Sequence, residues 1–232
     1  MSAHASFYFD LQSPLAYLAA ERVLHELPGP AEWQPVLARE LHGDARALVG
    51  GGESGDDDAR ALVSDDGEPA GSTQAGAFAG EQAWRCERER DVWREEIERH
   101  AERLRLQPLR WPAPFPFDST FAMRAATYAK SIGRVVPFAQ AAFRQAFAGG
   151  RALDVADNVL IAAAACEMHP SAVLRGAALR SVATTLDRAT ESAAALGVPG
   201  VPAVVVGEEV FAGERAIERA AERMLALEAP TR

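Results

Sequence analysis

Phe9-Asp-Leu-Gln-Ser-Pro-Leu-Ala-Tyr17 decides how the chain begins to fold. It overlaps a short aromatic run, Ser6-Phe-Tyr-Phe-Asp10, that predicts a strand and ends at the polar stop Gln12-Ser13-Pro14. Ser13 is a favourable N-cap and Pro14 a favourable first helical residue. Leu15, Leu18, Ala19 and Arg22 then keep helical spacing, so a helix is expected from Pro14 to about Glu26. Pro28-Gly29-Pro30 closes it. Trp33-Gln-Pro-Val-Leu-Ala-Arg39 is expected to form a second strand, with Pro35 marking an edge or an irregular start.

The far end of the chain returns to β structure. Ala203-Val-Val-Val-Gly207 and Glu209-Val-Phe-Ala212 predict a tight hairpin about Gly207-Glu208, and 215–227 predicts a closing amphipathic helix. Between the two ends the pattern is helical. Helices are expected over 80–106, from a cap at Asp118 through Tyr128, and over 137–147, 157–168, 171–178 and 181–196; Trp111-Pro-Ala-Pro-Phe-Pro116 breaks the first from the second. Strand–helix–strand, a helical insertion, then helix–strand–strand–helix is the order of an α/β thioredoxin-like fold with an inserted all-helical domain. The expected division gives 1–41 plus 185–232 to the thioredoxin-like domain and 42–184 to the insertion. Within the insertion, 43–80 is rich in glycine and acidic residues and is expected to be a mobile acidic loop. It has no calcium-loop spacing, so solvated chain is preferred to a metal site.

Composition narrows the function. The 232 residues carry a net charge of -9, which argues against a nucleic-acid groove, since that needs a basic stripe. No apolar run approaches the roughly 20 residues of a membrane span. The stretch Met1–Phe7 lacks the basic and apolar regions of a signal peptide, so a cytoplasmic protein is expected. Two cysteines, Cys86 and Cys166, fit neither a disulfide framework nor a zinc site and are expected to pack or to lie on the surface. His4, His25, His42, His100 and His169 are scattered, and no metal is expected. His169-Pro170 is expected to end a helix.

Two local signals converge on a site. Ser13 lies where a strand's C-terminal end meets a helix N-terminus, a junction where α/β sheets bind ligands and where free N–H groups favour an anion such as a thiolate. Redox thioredoxin folds hold Cys-x-x-Cys there; this chain has Ser13-Pro14-Leu15-Ala16. Dithiol–disulfide exchange needs an attacking and a resolving thiol, so that activity is not expected at this site. The second signal is Gly197-Val-Pro-Gly-Val-Pro202, directly before the Ala203 strand. By itself this run is an ordinary loop; in thioredoxin folds a Val-Pro at this point is cis, and with Ser13-Pro14 in the matching order a cis Val201-Pro202 bond is expected, exposing the main chain of Val201 to a peptide-like ligand.

Three stretches together, Phe7–Leu18, Arg110–Arg124, and Gly197–Pro202 with Phe211-Ala-Gly-Glu-Arg215, resemble 2-hydroxychromene-2-carboxylate isomerases. Those enzymes are relatives of kappa-class glutathione transferases within the larger DsbA-like group. The resemblance spans about 5–228 and is poor over 43–95. It implies a glutathione-dependent cis–trans isomerase of aromatic-breakdown intermediates, a small-molecule aromatic substrate, and a homodimer. It also implies that Ser13 stabilises the glutathione thiolate, and that Val201, Pro202, Glu214 and Arg215 hold the cofactor. A hydroxyl that donates to sulfur can also cap the helix, because the two roles use different lone pairs and protons.

The chain also departs from the family. Asp118 stands where asparagine is common, and a carboxylate cannot donate a hydrogen bond unless protonated, so both substrate contact and a plain helix cap stay open there. Gly213-Glu-Arg215 is one residue shorter than the usual segment; Glu214 either pairs with the γ-glutamyl ammonium or is a solvated helix-start residue. The basic and acidic pair that the family carries after the loop has no clean match near Glu89–Glu96. Another low-molecular-weight thiol therefore stays open as cofactor. So do a kappa-like transferase or peroxidase and a non-catalytic thiol- or peptide-binding protein. Trp84, Trp93 and Trp111 either line a lid over an aromatic substrate or pack the core.

Overall fold

The computed structural model describes residues 4–41, 87–213 and 215–228. The expectations for the acidic loop 43–80, for His42, Trp84 and Cys86, and for Glu214 lie outside the described residues.

Strand β1 (Ala5–Phe9) forms from alternating aromatic residues and sits inside a four-stranded sheet. It pairs in parallel with β2 (Ala31–Pro35) on one side and antiparallel with β3 (Ala203–Val206) on the other; β4 (Glu209–Ala212) closes the sheet. The order is β2-β1-β3-β4, so Pro35 lies on an edge strand, where a missing N–H costs least. Gly207, at φ +63°, supplies the left-handed turn of the hairpin. This is the α/β thioredoxin-like sheet that the element order predicted.

Both faces of the sheet are covered. On one, Phe7 and Phe9 stack with ring centroids 5.9 Å apart while Trp33 meets them edge-on at 4.9 and 5.7 Å, and the three join a core that includes α1 (Pro14–Ala20) and the long inserted helices. All seven residues of α1 are buried, and Tyr17 stacks on Phe147, far along the chain. On the other face, Tyr8, Val36, Ala203 and Val205 pack with Ala193 and Val198. After α2 (Val23–Glu26) and α3 (Ala38–Leu41), the helices are α4 (Glu87–Arg103), α5 (Thr120–Ser131), α6 (Val135–Phe147), α7 (Ala156–Ala164), α8 (Pro170–Ala178), α9 (Arg180–Ala195) and α10 (Ala216–Glu228). Among the described residues none of them is long and apolar enough to cross a membrane.

Several boundaries differ from expectation. The first helix is two: the chain tightens where Arg22 N–H reaches back to Ala19 O, and α2 starts beyond it. The second strand stops at Pro35. Beyond it the N–H of Leu37 goes to Thr190 Oγ1 and that of Ala38 to Asp10 Oδ2, both at 3.0 Å, so side chains take the donors that a longer ladder would have used. His169-Pro170 opens α8 instead of ending α7. The His169 ring accepts the Ser171 N–H, and Pro170 fills the first helical position. In α5, Ser119 holds the cap position and Asp118 precedes it.

Candidate functional site

The turn 10–13 is held from every side. Ser13 N–H donates to Asp10 O, Gln12 N–H to Asp10 Oδ1, and Leu11 N–H to the sulfur of Met123 on α5 at 3.2 Å. The Gln12 side-chain amide donates to Phe117 O at 2.6 Å. Ser13, 1% exposed, caps α1: its Oγ accepts the Ala16 N–H at 3.0 Å and its main-chain O accepts that of Tyr17. Pro14 has no N–H. The free donors expected at this helix end are thus largely consumed, and the group left to meet a ligand is the Ser13 hydroxyl proton, which donates to no acceptor among the described residues.

Val201-Pro202 is a cis peptide bond, as the sequence indicated. Because Tyr8 sits opposite Ala203 in the antiparallel register, the preceding Val201 and Pro202 run beside Phe9 and Asp10, at the end of β1 from which the Ser13 turn departs. Among the described residues Val201 pairs its N–H and C=O with no other main-chain group. Pro202 O accepts the Gly213 N–H at 3.4 Å, which ties the start of the 213–215 segment to this loop. Arg215 is exposed just beyond it. The structure therefore brings Ser13, Val201 and Pro202 to one end of the sheet and places Arg215 along the same connection.

Asp118 lies near by but is otherwise engaged. Its exposed carboxylate accepts the Thr120 N–H at 3.0 Å, receives the Thr120 hydroxyl, and pairs with Arg39 Nη1 at 3.1 Å. The Thr120 bonds hold it below its ordinary pKa, so it is an acceptor and a counter-ion. Trp93 and Trp111 lie 5.5 Å apart in a cluster with Phe115 and Phe147, with the Arg94 guanidinium 5.0 Å over Trp111. Trp111 also donates to Glu98 at 2.6 Å. These contacts pack α4 onto the inserted helices.

Asp10 and Ser119 were not singled out from the sequence. Asp10 is 2% exposed, and its Oδ2 accepts the Ala38 N–H while Oδ1 accepts that of Gln12. Ser119 is also buried, and its hydroxyl faces the same carboxyl and favours its ionised form. Burial pushes the Asp10 pKa up, and the Gln12 and Ala38 bonds, the Ser119 hydroxyl and the Arg39 charge pull it partly back. The available signal was a carboxylate set between Phe9 and Leu11, where neighbours that apolar foretell burial. Among the described residues no group of histidine, cysteine or acidic side chains is placed to hold a metal.

The model of the DSBA-like thioredoxin domain matches residues 70–225, well over half of the chain. No curated protein sequence matches it. Among solved structures, a 2-hydroxychromene-2-carboxylate isomerase superposes with a TM-score of 0.72 at 18% identity, over 97% of this chain and 95% of that one. A probable DsbA oxidoreductase from Streptomyces coelicolor gives 0.68 at 18% identity, over 99% and 93%. A thioredoxin-like oxidoreductase from Silicibacter pomeroyi DSS-3 gives 0.52 at 14%, over 98% and 88%. At such identities these likenesses speak for the fold.

Proposed function

The chain belongs to the DSBA-like thioredoxin domain family, and from that premise we propose that it is a thiol-dependent cis–trans isomerase of the 2-hydroxychromene-2-carboxylate isomerase type, using glutathione and acting on aromatic-catabolism intermediates. The observation that carries this reading is the Ser13 hydroxyl, which occupies the redox position without sulfur and, among the described residues, has its proton uncommitted.

The residues present fit such a cofactor. The Ser13 hydroxyl proton suits a thiolate, the main chain of Val201, unpaired among the described residues, suits a peptide-like backbone beside cis Pro202, and exposed Arg215 suits a carboxylate. Glu214 is assigned to the cofactor's ammonium group, and Asp118 to a substrate hydroxyl, for which its ionised state makes it an acceptor. A bound thiol would supply a nucleophile that adds reversibly to a conjugated double bond, allowing rotation before it leaves, with no net oxidation. The chain's own part is electrostatic: Ser13 donates to the sulfur, and its burial removes competing water from that bond. A homodimer and a cytoplasmic setting belong to the same reading.

The test assays one preparation, with glutathione, for isomerisation of 2-hydroxychromene-2-carboxylate, conjugation to an aromatic electrophile, and peroxide reduction. Isomerisation that falls by about 10²–10³ in Ser13→Ala is expected, as for removal of one preorganised donor. Conjugation or peroxide reduction alone would make the chain a kappa-like transferase or peroxidase. Calorimetric binding without any turnover would make it a thiol-binding protein. Full activity in Ser13→Ala would remove Ser13 from the mechanism.

A further inference from the structure

A carboxylate this deeply buried is costly unless it is hydrogen-bonded, and Asp10 faces three separate segments and bonds two of them. Oδ1 takes the Gln12 N–H within the turn, Oδ2 takes the Ala38 N–H at the start of α3, and the Ser119 hydroxyl reaches the carboxyl from the start of α5. Ser119 occupies the cap position of α5 yet makes no side-chain capping bond; its hydroxyl faces Asp10. Asp10 also gives its main-chain O to the N–H of Ser13. One residue thus touches the turn that carries the Ser13 hydroxyl, the segment after β2, and the inserted helices.

We propose that Asp10 is the positioning residue of this site: its carboxylate, gripped by Gln12, Ala38 and Ser119, holds the turn that presents Ser13 and couples it to the first turn of α5. Its bearing on catalysis rests on the function proposed above; its bearing on the geometry of Ser13 does not.

The arrangement is sensitive to pH through a hydroxyl rotor. While Asp10 is ionised it can only accept, so Ser119 donates to it; protonation gives Asp10 an O–H of its own, and the Ser119 hydroxyl turns to accept it. Arg39 on α3 is the charged group that acts on Asp10, and from α5 it meets the neutral Ser119, whose neighbour Asp118 is turned to Arg39 and Thr120. The loop before β3 presents uncharged Val201 and Pro202. Protonation of Asp10 is therefore relayed to the Ser13 turn and to α5 together.

The experiment follows the full chain by NMR. The Asp10 carboxyl carbon and the Ala16 amide are titrated in parallel, because Ala16 N–H reports the Ser13 Oγ it bonds and does not touch Asp10. The Ala16 shift is expected to titrate with the Asp10 midpoint, and Ser119→Ala is expected to raise both midpoints together, because a donor to the ionised form is lost. At one fixed pH the Ala16 amide should exchange about tenfold faster in Asp10→Asn, and measurably faster in Ser119→Ala, with Phe143 on α6 unchanged. An Ala16 signal that stays flat while Asp10 titrates, or Ala16 exchange unaltered in Ser119→Ala, overturns the proposal, and the second arm stands even if Asp10→Asn fails to fold. Glutathione calorimetry on the same proteins separates the two claims. Absence of binding to the unsubstituted chain defeats the thiol-dependent function and leaves the Ala16 result to decide on Asp10. Binding whose affinity does not follow the Asp10 midpoint defeats its bearing on catalysis.

Discussion

The side-chain amide of Gln12 donates to the main-chain carbonyl of Phe117 across 2.6 Å, joining the turn before α1 to the segment that leads into α5. These residues are 105 apart in sequence, so the bond closes a long loop and fixes where the inserted helices meet the sheet. Gln12→Ala is expected to cost about 1 kcal/mol, the net worth of one hydrogen bond, with an unchanged m-value in urea unfolding. A loss near zero would mean that water replaces the amide at Phe117 without penalty.

Ser13 stabilises the fold as well as serving the site. Ser13→Ala should lower stability by about 1 kcal/mol as a lost N-cap, while Ser13→Thr, which keeps the oxygen, should lose less. Denaturant titration of both variants checks the order. A cap role without a site role would show as the stability loss with full turnover.

Glu21 and Arg144 form a two-pronged ion pair, with Nε–Oε1 at 2.7 Å and Nη2–Oε2 at 2.6 Å, linking the end of α1 to α6. Geometry of this kind lies at the upper end for surface pairs, but Arg144 is 56% exposed and solvent screens it. A double-mutant cycle with Glu21→Gln and Arg144→Gln should give a coupling of about 0.5–1 kcal/mol that shrinks in high salt. No coupling at low salt would reduce the pair to a coincidence of geometry.

Gly176 lets α8 lie against α5. A methyl group there would fall inside the van der Waals envelope of the Tyr128 ring, at the part nearest the backbone, where the ring has least room to yield. Gly176→Ala is therefore expected to destabilise by about 1–3 kcal/mol through overpacking, even though alanine favours helix. Thermal unfolding decides, and a stabilised variant would show that the two helices separate easily.

Asp10 and Asp118 should affect stability in opposite directions with pH. Burial raises the folded-state pKa of Asp10 above 3.8, so its contribution is fully present below that value and is lost as pH rises through the folded pKa. Hydrogen bonds from Thr120 lower that of Asp118; its contribution is present above 3.8 and lost as pH falls through the folded pKa. Stability of Asp10→Asn relative to the unsubstituted chain should accordingly rise with pH, and that of Asp118→Asn should fall. Chemical denaturation from pH 3 to 7 reads both slopes, and a reversed sign at Asp10 would contradict its desolvation.

Local chemistry was enough to read much of this protein from its sequence. The Ser6–Asp10 strand, the Ser13-Pro14 helix start and the hairpin at Gly207 each follow from residues adjacent in the chain, because caps, turns and alternation act over a few positions, whereas the cis bond before Pro202 was expected only from the thioredoxin-like order of the elements. What tertiary structure decided was where donors went once distant segments met. Beyond Pro35 the Val36 N–H still reaches Phe9 O, but Thr190 and Asp10 claim the N–H groups of Leu37 and Ala38, and the Ser119 hydroxyl faces Asp10 instead of capping its own helix. Asp10 itself was visible only as a polar strand end; its standing as a buried hub depends on Ala38 and Ser119, which lie 28 and 109 positions away (38 − 10 and 119 − 10). Such pairings carry no local signature, since they are settled by the competition for hydrogen bonds in a core that excludes water.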